Sequence, residues 1–155
     1  MNKTNVMRLL DAAKIRYDVI EYEVDENDLS GVHVAGTIGQ DPDLVFKTLV
    51  LRGERNGYLV CCIPVAEELD LKKTAKACND KKVEMIPMKD LLSVTGYIRG
   101  GCSPVGMKKA FPIYIEETAQ LFEQIAVSAG VRGAQILINP DDLCMYLKAK
   151  YSSLV

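Results

Sequence analysis

Between Gly96 and Gly106 the chain carries four glycines and a proline in eleven residues, GYIRGGCSPVG, and Lys108 and Lys109 follow. Neither a helix nor a strand runs through such a segment, so it is a loop whose shape the glycines dictate. Glycine takes positive φ readily and lets backbone come close to a ligand. A run of such positions can aim several N–H groups at one oxygen, as in an anion nest or an oxyanion hole. That suits a carbonyl whose oxygen becomes negative during reaction. The same residues also build ordinary surface turns, and spacing alone leaves both open.

Around this loop, helical and extended patterns alternate. Thr4 caps a first helix with the apolar stripe Val6, Leu9, Leu10 and Ala13. Residues 17–23 read as a strand and 31–38 as a short helix. Asp41-Pro42-Asp43 turns the chain into a strong strand, 44–51. A loop over 53–57 returns it through a second strand, 58–63. Asp70 caps a helix that turns Leu71, Ala75 and Cys78 inward and Lys72, Lys73 and Lys76 outward. A short strand, 82–85, and a helix opened by Pro87 and running to about Val94 precede the glycine loop. Beyond it lie a strand at 113–116, a hairpin of 122–128 with 134–138, and a last helix begun by Asn139-Pro140 and carrying Leu143, Tyr146 and Leu147. Interspersed helices and hairpins predict an α/β fold: a single domain over 1–155, on a mixed, largely antiparallel β-sheet with surrounding helices.

Bulk properties narrow the function classes. Hydrophobic residues are 48% and charged residues 26% of the chain, the balance of a soluble globular domain. No stretch has the length of an apolar membrane span, and the first residues do not form an apolar signal core. Five cysteines, Cys61 and Cys62 adjacent and the others scattered, without Cys-x-x-Cys, fit reduced thiols in the cytoplasm better than a disulfide framework. With His33 as the one histidine, neither a zinc site nor a Ser-His-Asp or Cys-His centre has its parts, and no metal or cofactor is expected. The formal net charge of −2 means that nucleic acid would need a local basic patch or a second protein. Lys72, Lys73, Lys76, Lys81 and Lys82 form one candidate patch, although charge alone favours a solvated helix face.

Individual residues stand out. In VFKTLVL, period-two alternation puts Lys47 on the face of Val45, Leu49 and Leu51, where a cation is costly unless it is used or its amine reaches water. Thr48 falls on the opposite face. Tyr22 can offer a phenol to a pocket, and Ser128 and Arg132 flank a glycine-bearing turn. Cys102 sits in the glycine loop near Arg99 and Lys108, as a packing residue or a thiol nucleophile.

Taken together and in order, FKTL at 46–49, LKK at 71–73, KVEM at 82–85, the glycine loop, and SAGVRG at 128–133 resemble the YbaK/EbsC family. Its members are bacterial Cys-tRNA(Pro) deacylases related to the editing domain of prolyl-tRNA synthetase. The resemblance spans nearly the whole chain. It implies trans-editing of Cys-tRNA(Pro), with Cys-tRNA(Cys) as a further candidate and prolyl-tRNA synthetase as a partner. It implies Lys47 as the essential lysine, Gly100 and Gly101 as the loop that holds the aminoacyl carbonyl, and Tyr22, Thr48 and Ser128 as pocket residues; Ser103 and Arg132 are further substrate-binding candidates. It also implies that the substrate's own thiol attacks the ester, which accounts for the lack of a protein nucleophile. Gln135 stands where relatives can carry an aspartate, so a neutral group occupies that pocket position. The same fold acting on another small aminoacyl ester such as alanine, and a non-catalytic module binding a tRNA end or a synthetase, are the rival expectations.

Overall fold

The computed structural model describes residues 1–155. The chain order is α1 (Asn5–Ala12), β1 (Tyr17–Glu21), α2 (Gly31–Ile38), β2 (Phe46–Gly53), β3 (Gly57–Pro64), α3 (Leu71–Ala77), β4 (Val83–Met85), α4 (Leu91–Thr95), β5 (Ile113–Glu116), β6 (Ile125–Ser128), β7 (Ala134–Ile138), α5 (Pro140–Leu147) and β8 (Lys150–Ser152). The caps are where the side chains predict them. Thr4 accepts from the Met7 N–H, Asp70 from the Lys72 and Lys73 N–H groups, and Asn139 from those of Asp141 and Asp142.

The α/β expectation holds, with the strands divided between two sheets. One is antiparallel, in the order β1-β7-β6; the other is mixed, in the order β4-β2-β3-β5-β8. In the mixed sheet the β2–β3 hairpin is antiparallel, and β5 and β8 add in parallel. The two sheets touch where Val45 bridges Ala126 in parallel and the Ala126 N–H donates to Leu44 O at 2.9 Å.

Burial follows this division. The main core lies between α1, the inner face of the three-stranded sheet and one face of the mixed sheet, and contains Leu10, Phe46, Cys62, Ile115, Ile136 and Leu143. On the other face of the mixed sheet, Ala75 of α3 packs against Leu51, Cys61, Ile63 and Leu154. A third cluster joins α2 to the sheet junction through Ala35, Val45, Val65 and Ala126.

Several local expectations shift. The first strand ends at Glu21, so Tyr22 lies just past it. The helix expected from Pro87 is a 3-10 turn, Met88–Asp90, followed by α4. Residues 117–121 form another such turn, which delays the start of β6 to Ile125. On α3, Leu71 is exposed and Thr74 is buried in its place. Thr74 is tolerated there because its hydroxyl donates to Asp70 O at 2.8 Å. No helix is long and apolar enough to cross a membrane.

The C-terminal residues are anchored. The buried Glu116 carboxylate accepts from the Leu154 N–H at 2.9 Å and the Thr118 N–H at 2.8 Å, and the Asp70 N–H donates to Leu154 O at 2.7 Å. Leu154→Ala therefore opens a cavity under α3 and is expected to cost about 2–5 kcal/mol. The check is a lower denaturant midpoint with an unchanged slope.

Candidate active site

The strand registers line up a row of side chains across the sheet junction. Lys47 lies opposite Ile63, Ser128 opposite Gln135, and Gln135 opposite Ile20. Residues directly opposite share a face, and side chains repeat every second residue. Because Val45 bridges Ala126, Lys47 and Ser128, each two residues further on, fall side by side on that face. The row thus runs Ile63, Lys47, Ser128, Gln135, Ile20. Tyr22, two residues beyond Ile20, continues the same side, with its N–H donating to Gly133 O at 2.9 Å.

Two members of the row are electrostatically incomplete. Lys47 is half-buried and enters none of the ion pairs of the chain. Gln135 is 7% exposed, and its Oε1 is the buried side-chain polar atom without a hydrogen-bond partner. Leaving such an atom unpaired costs about 1–3 kcal/mol, and its presence calls for an explanation such as a ligand group. Ser128, equally buried beside it, accepts the Gly130 N–H at 3.1 Å and keeps its own proton to donate.

Thr48 points to the other face, as alternation requires. Its Oγ1 is 4.0 Å from Sγ of Cys62, a residue of the main core. Its hydroxyl is therefore separated from the row by the thickness of the sheet.

The glycine loop is fastened to the β6–β7 turn. The Arg132 Nε–H donates to Arg99 O at 2.8 Å, and the arginine side chain lies over Gly100. Gly100 has φ +85°, a conformation that L side chains rarely adopt. Gly101 serves close approach instead: a Cβ there would lie 3.2 Å from the Val131 carbonyl carbon and 3.3 Å from the Arg132 nitrogen. The Gly101 N–H is already engaged with Ile98 O at 3.0 Å. Several loop N–H groups have no acceptor inside the protein, among them those of Gly100, Cys102 and Ser103. Ser103 is fully buried, and its hydroxyl accepts the Val105 N–H at 3.1 Å, which shapes the loop.

The thiols are poorly suited to attack. Burial pushes the Cys102 thiol up to about 11, with Thr95 partly opposing, and the Cys62 thiol up to about 12. Both are protonated near neutrality, and the thiolate is the nucleophile. His33 pairs with Asp28 at 3.7 Å at the start of α2.

Two supporting features escape the sequence. Leu29 packs on Gly100 from the segment before α2, 3.6 Å from where its Cβ would be. Tyr97 donates its hydroxyl to Val105 O and lies against Gly130, tying loop to turn from the α1 side. No pattern marks either, because both contacts join segments far apart in the chain.

Gly101→Ala is expected to part the loop from the turn by a few tenths of an ångström. Faster amide exchange at Val131 and Arg132, with the rest of the protein unchanged, is the readout; unchanged exchange there would show that the loop absorbs the methyl group elsewhere.

Comparisons with known proteins place the family and the fold. The sequence profile of the Aminoacyl-tRNA editing domain matches residues 30–145. A protein of Enterococcus faecalis, named as a candidate Cys-tRNA(Pro)/Cys-tRNA(Cys) deacylase, EbsC, is 47% identical over 152 residues, covering 98% of this chain and 93% of its own. Among solved structures, a candidate trans-editing enzyme for prolyl-tRNA synthetase superposes with a TM-score of 0.81 at 21% identity, covering 99% of this chain and 98% of that one. A hypothetical protein superposes with a TM-score of 0.88 at 16% identity, covering 97% and 99%. At these identities the structural matches speak for the fold, while the profile and the enterococcal relative speak for the family. This chain belongs to the aminoacyl-tRNA editing domain family.

Proposed function

We propose that the chain, acting as one deacylase domain over 1–155, is a trans-editing enzyme that removes cysteine mischarged on tRNA(Pro). The observation that carries this is the row itself. A half-buried lysine without an ion pair and a buried amide oxygen without a partner share one face. In a member of an editing family, those are groups awaiting a substrate. The 47% identical relative named for Cys-tRNA(Pro) and Cys-tRNA(Cys) supports the amino acid, and the latter substrate is a second candidate. The likeness to a candidate trans-editing enzyme for prolyl-tRNA synthetase supports that synthetase as the partner that presents the tRNA.

In the proposed reaction the substrate supplies the nucleophile. Its thiol loses a proton and the sulfur attacks the ester carbonyl. The carbonyl oxygen becomes negative, then the C–O bond to the terminal ribose breaks, and the ribose oxygen takes a proton. The products are tRNA and a cyclic cysteine thioester, which water opens. The protein contributes position and charge. Lys47 meets the ester or the adenosine end of the substrate. The free N–H groups of the glycine loop, that of Gly100 first among them, face the developing oxyanion, and Gly101 sets the loop's close approach to the turn. Gln135 Oε1 accepts from the substrate's amino group, with Ser128 and Tyr22 beside it. Arg132 holds the loop and the turn together, and Thr48 acts through the strand that carries Lys47.

Deacylation of Cys-tRNA(Pro) and Ala-tRNA(Pro), each with wild type and Lys47→Ala, tests this. Loss of cysteine alone, reduced by about a hundredfold or more in the variant as for removal of one electrostatic contact to the transition state, is the expected result. Equal loss of both esters would favour a positioned water over the substrate thiol. Wild-type rates in Lys47→Ala would move the site away from the row.

Cys102→Ser is expected to retain most of the activity, because a thiol raised to about 11 is not a ready nucleophile. A dead Cys102→Ser enzyme that still folds, with an alkylation adduct at Cys102 in the wild type, would instead indicate a cysteine-dependent hydrolase.

A further inference from the structure

Exposed lysines gather at one end of the row and exposed carboxylates at the other, where Arg132 and Arg99 also stand at the β6–β7 turn. At one end, Ile63 and Lys47 belong to the sheet face covered by α3, where Ala75 packs on Ile63, Cys61 and Leu51. The outer side of α3 carries Lys72, Lys73 and Lys76, all exposed, and Lys81 and Lys82 lead from it into β4. Residues three and four apart on a helix are neighbours, so these three lysines form one patch. At the other end, β1 and the segment after it carry Asp18, Glu21, Glu23, Asp25, Glu26 and Asp28, all exposed.

Three carboxylates at the lysine end are engaged internally, while Glu67, Glu68 and Glu84 stay exposed beside the five lysines. Asp70 caps α3, Asp80 accepts the N–H groups of Arg55, Asn56 and Lys81, and Glu116 accepts those of Thr118 and Leu154. Glu84 stands opposite Arg52 in the β2–β4 ladder, and Glu67 and Glu68 lie on the turn ahead of the α3 cap. Lys73 Nζ donates to Val155 O at 2.6 Å, and Lys72, Lys76, Lys81 and Lys82 enter no ion pair. A groove of about 480 Å³ runs beside them, lined by Lys73, Lys76, Ala77, Ser152 and Ser153. Ammonium and hydroxyl donors along an open groove suit the oxygens of a phosphate backbone.

We propose that the lysine face of α3, with the groove beside β8, is the docking surface for the RNA stem of the substrate. The acidic segment after β1 excludes that stem from the opposite end of the site. A polyanion therefore enters over Lys72, Lys73 and Lys76 and passes Lys47. The cationic amino end of an aminoacyl ester points toward Gln135 and the acidic wall. This polarity matches a molecule with phosphates at one end and an amine at the other. It rests on the aminoacyl-tRNA reading of the site and adds the surface and the direction of approach.

The test uses the full chain with Lys72, Lys73 and Lys76 all changed to alanine, and an Arg8→Ala, Arg16→Ala protein as a charge control. Three readouts are taken: deacylation of full-length Cys-tRNA(Pro), deacylation of a cysteinyl-adenosine ester without the stem, and binding of uncharged tRNA(Pro) across a salt series. The expected result is a KM for the charged tRNA raised by roughly tenfold with kcat held, and an unchanged rate on the short ester. The slope of log affinity against log salt should fall by about one for each lysine removed. The arginine control should behave as wild type. Equal effects in both variants, or an unaltered salt slope in the lysine variant, would overturn the docking surface. A wild type that deacylates neither ester yet loses uncharged tRNA on lysine removal would sink the catalytic reading and keep the surface. An active wild type indifferent to the lysines would do the reverse.

Discussion

One parallel bridge organises the candidate site. Val45 against Ala126, secured by the Ala126 N–H on Leu44 O, joins two sheets that otherwise share no ladder. Its consequence is a matter of register. In a parallel pair, residues equally far past a bridge fall on the same side, so Lys47 meets Ser128 and, through the antiparallel hairpin, Gln135. A one-residue slip would turn Lys47 toward the main core and Thr48 outward. Such a slip is opposed from both sides, because Val45 and Ala126 are buried with Ala35 and Val65, and Phe46 is buried with Cys62 and Ile115.

The glycine loop answers to the same junction. Its position depends on contacts too close for any side chain, Gly101 against Val131 and Arg132, and on a left-handed Gly100 beneath the arginine. Tyr97 and the N-terminal part of α1 support this contact from behind, since Gly130 approaches Val6 and Tyr97 closely. The loop thus moves with the β6–β7 turn, and the turn with the strands that carry Ser128 and Gln135. Donors placed this way need no rearrangement as charge develops on a carbonyl, which is the condition for useful electrostatic stabilisation.

What could be read from the sequence was local. Period-two alternation in 45–51 placed Lys47 and Thr48 on opposite faces, and the caps at Thr4, Asp70 and Asn139 started their helices where expected. The glycine run announced a shaped loop. What could not be read was long-range pairing. The split into two sheets depends on one bridge between residues 45 and 126, and β8 is three residues whose only signal is its partner β5. The hydrogen bond that occupies the Gly101 N–H was equally invisible, because turn geometry decides which amide of a glycine pair remains free. Among the candidate pocket residues, Ser103 is completely buried, which its place in a glycine loop does not foretell.

The distribution of reactive groups explains why selectivity would rest on the substrate. Cysteine differs from proline by little volume, and a pocket that reads size alone discriminates by about 1–3 kcal/mol. The protein's own thiols near the loop and sheet, Cys102 and Cys62, are held protonated by burial, so they offer no general hydrolytic activity to a correctly charged ester. Gln135 adds to this restraint. On the proposed reading, a neutral amide oxygen would accept the amino group without the field of a carboxylate, and most of the hold would fall to Lys47 and the loop amides. An ester lacking a thiol would then be bound but would lack a nucleophile. An editing site of this design would protect prolyl esters chemically, and it would need no steric barrier fine enough to tell two small residues apart.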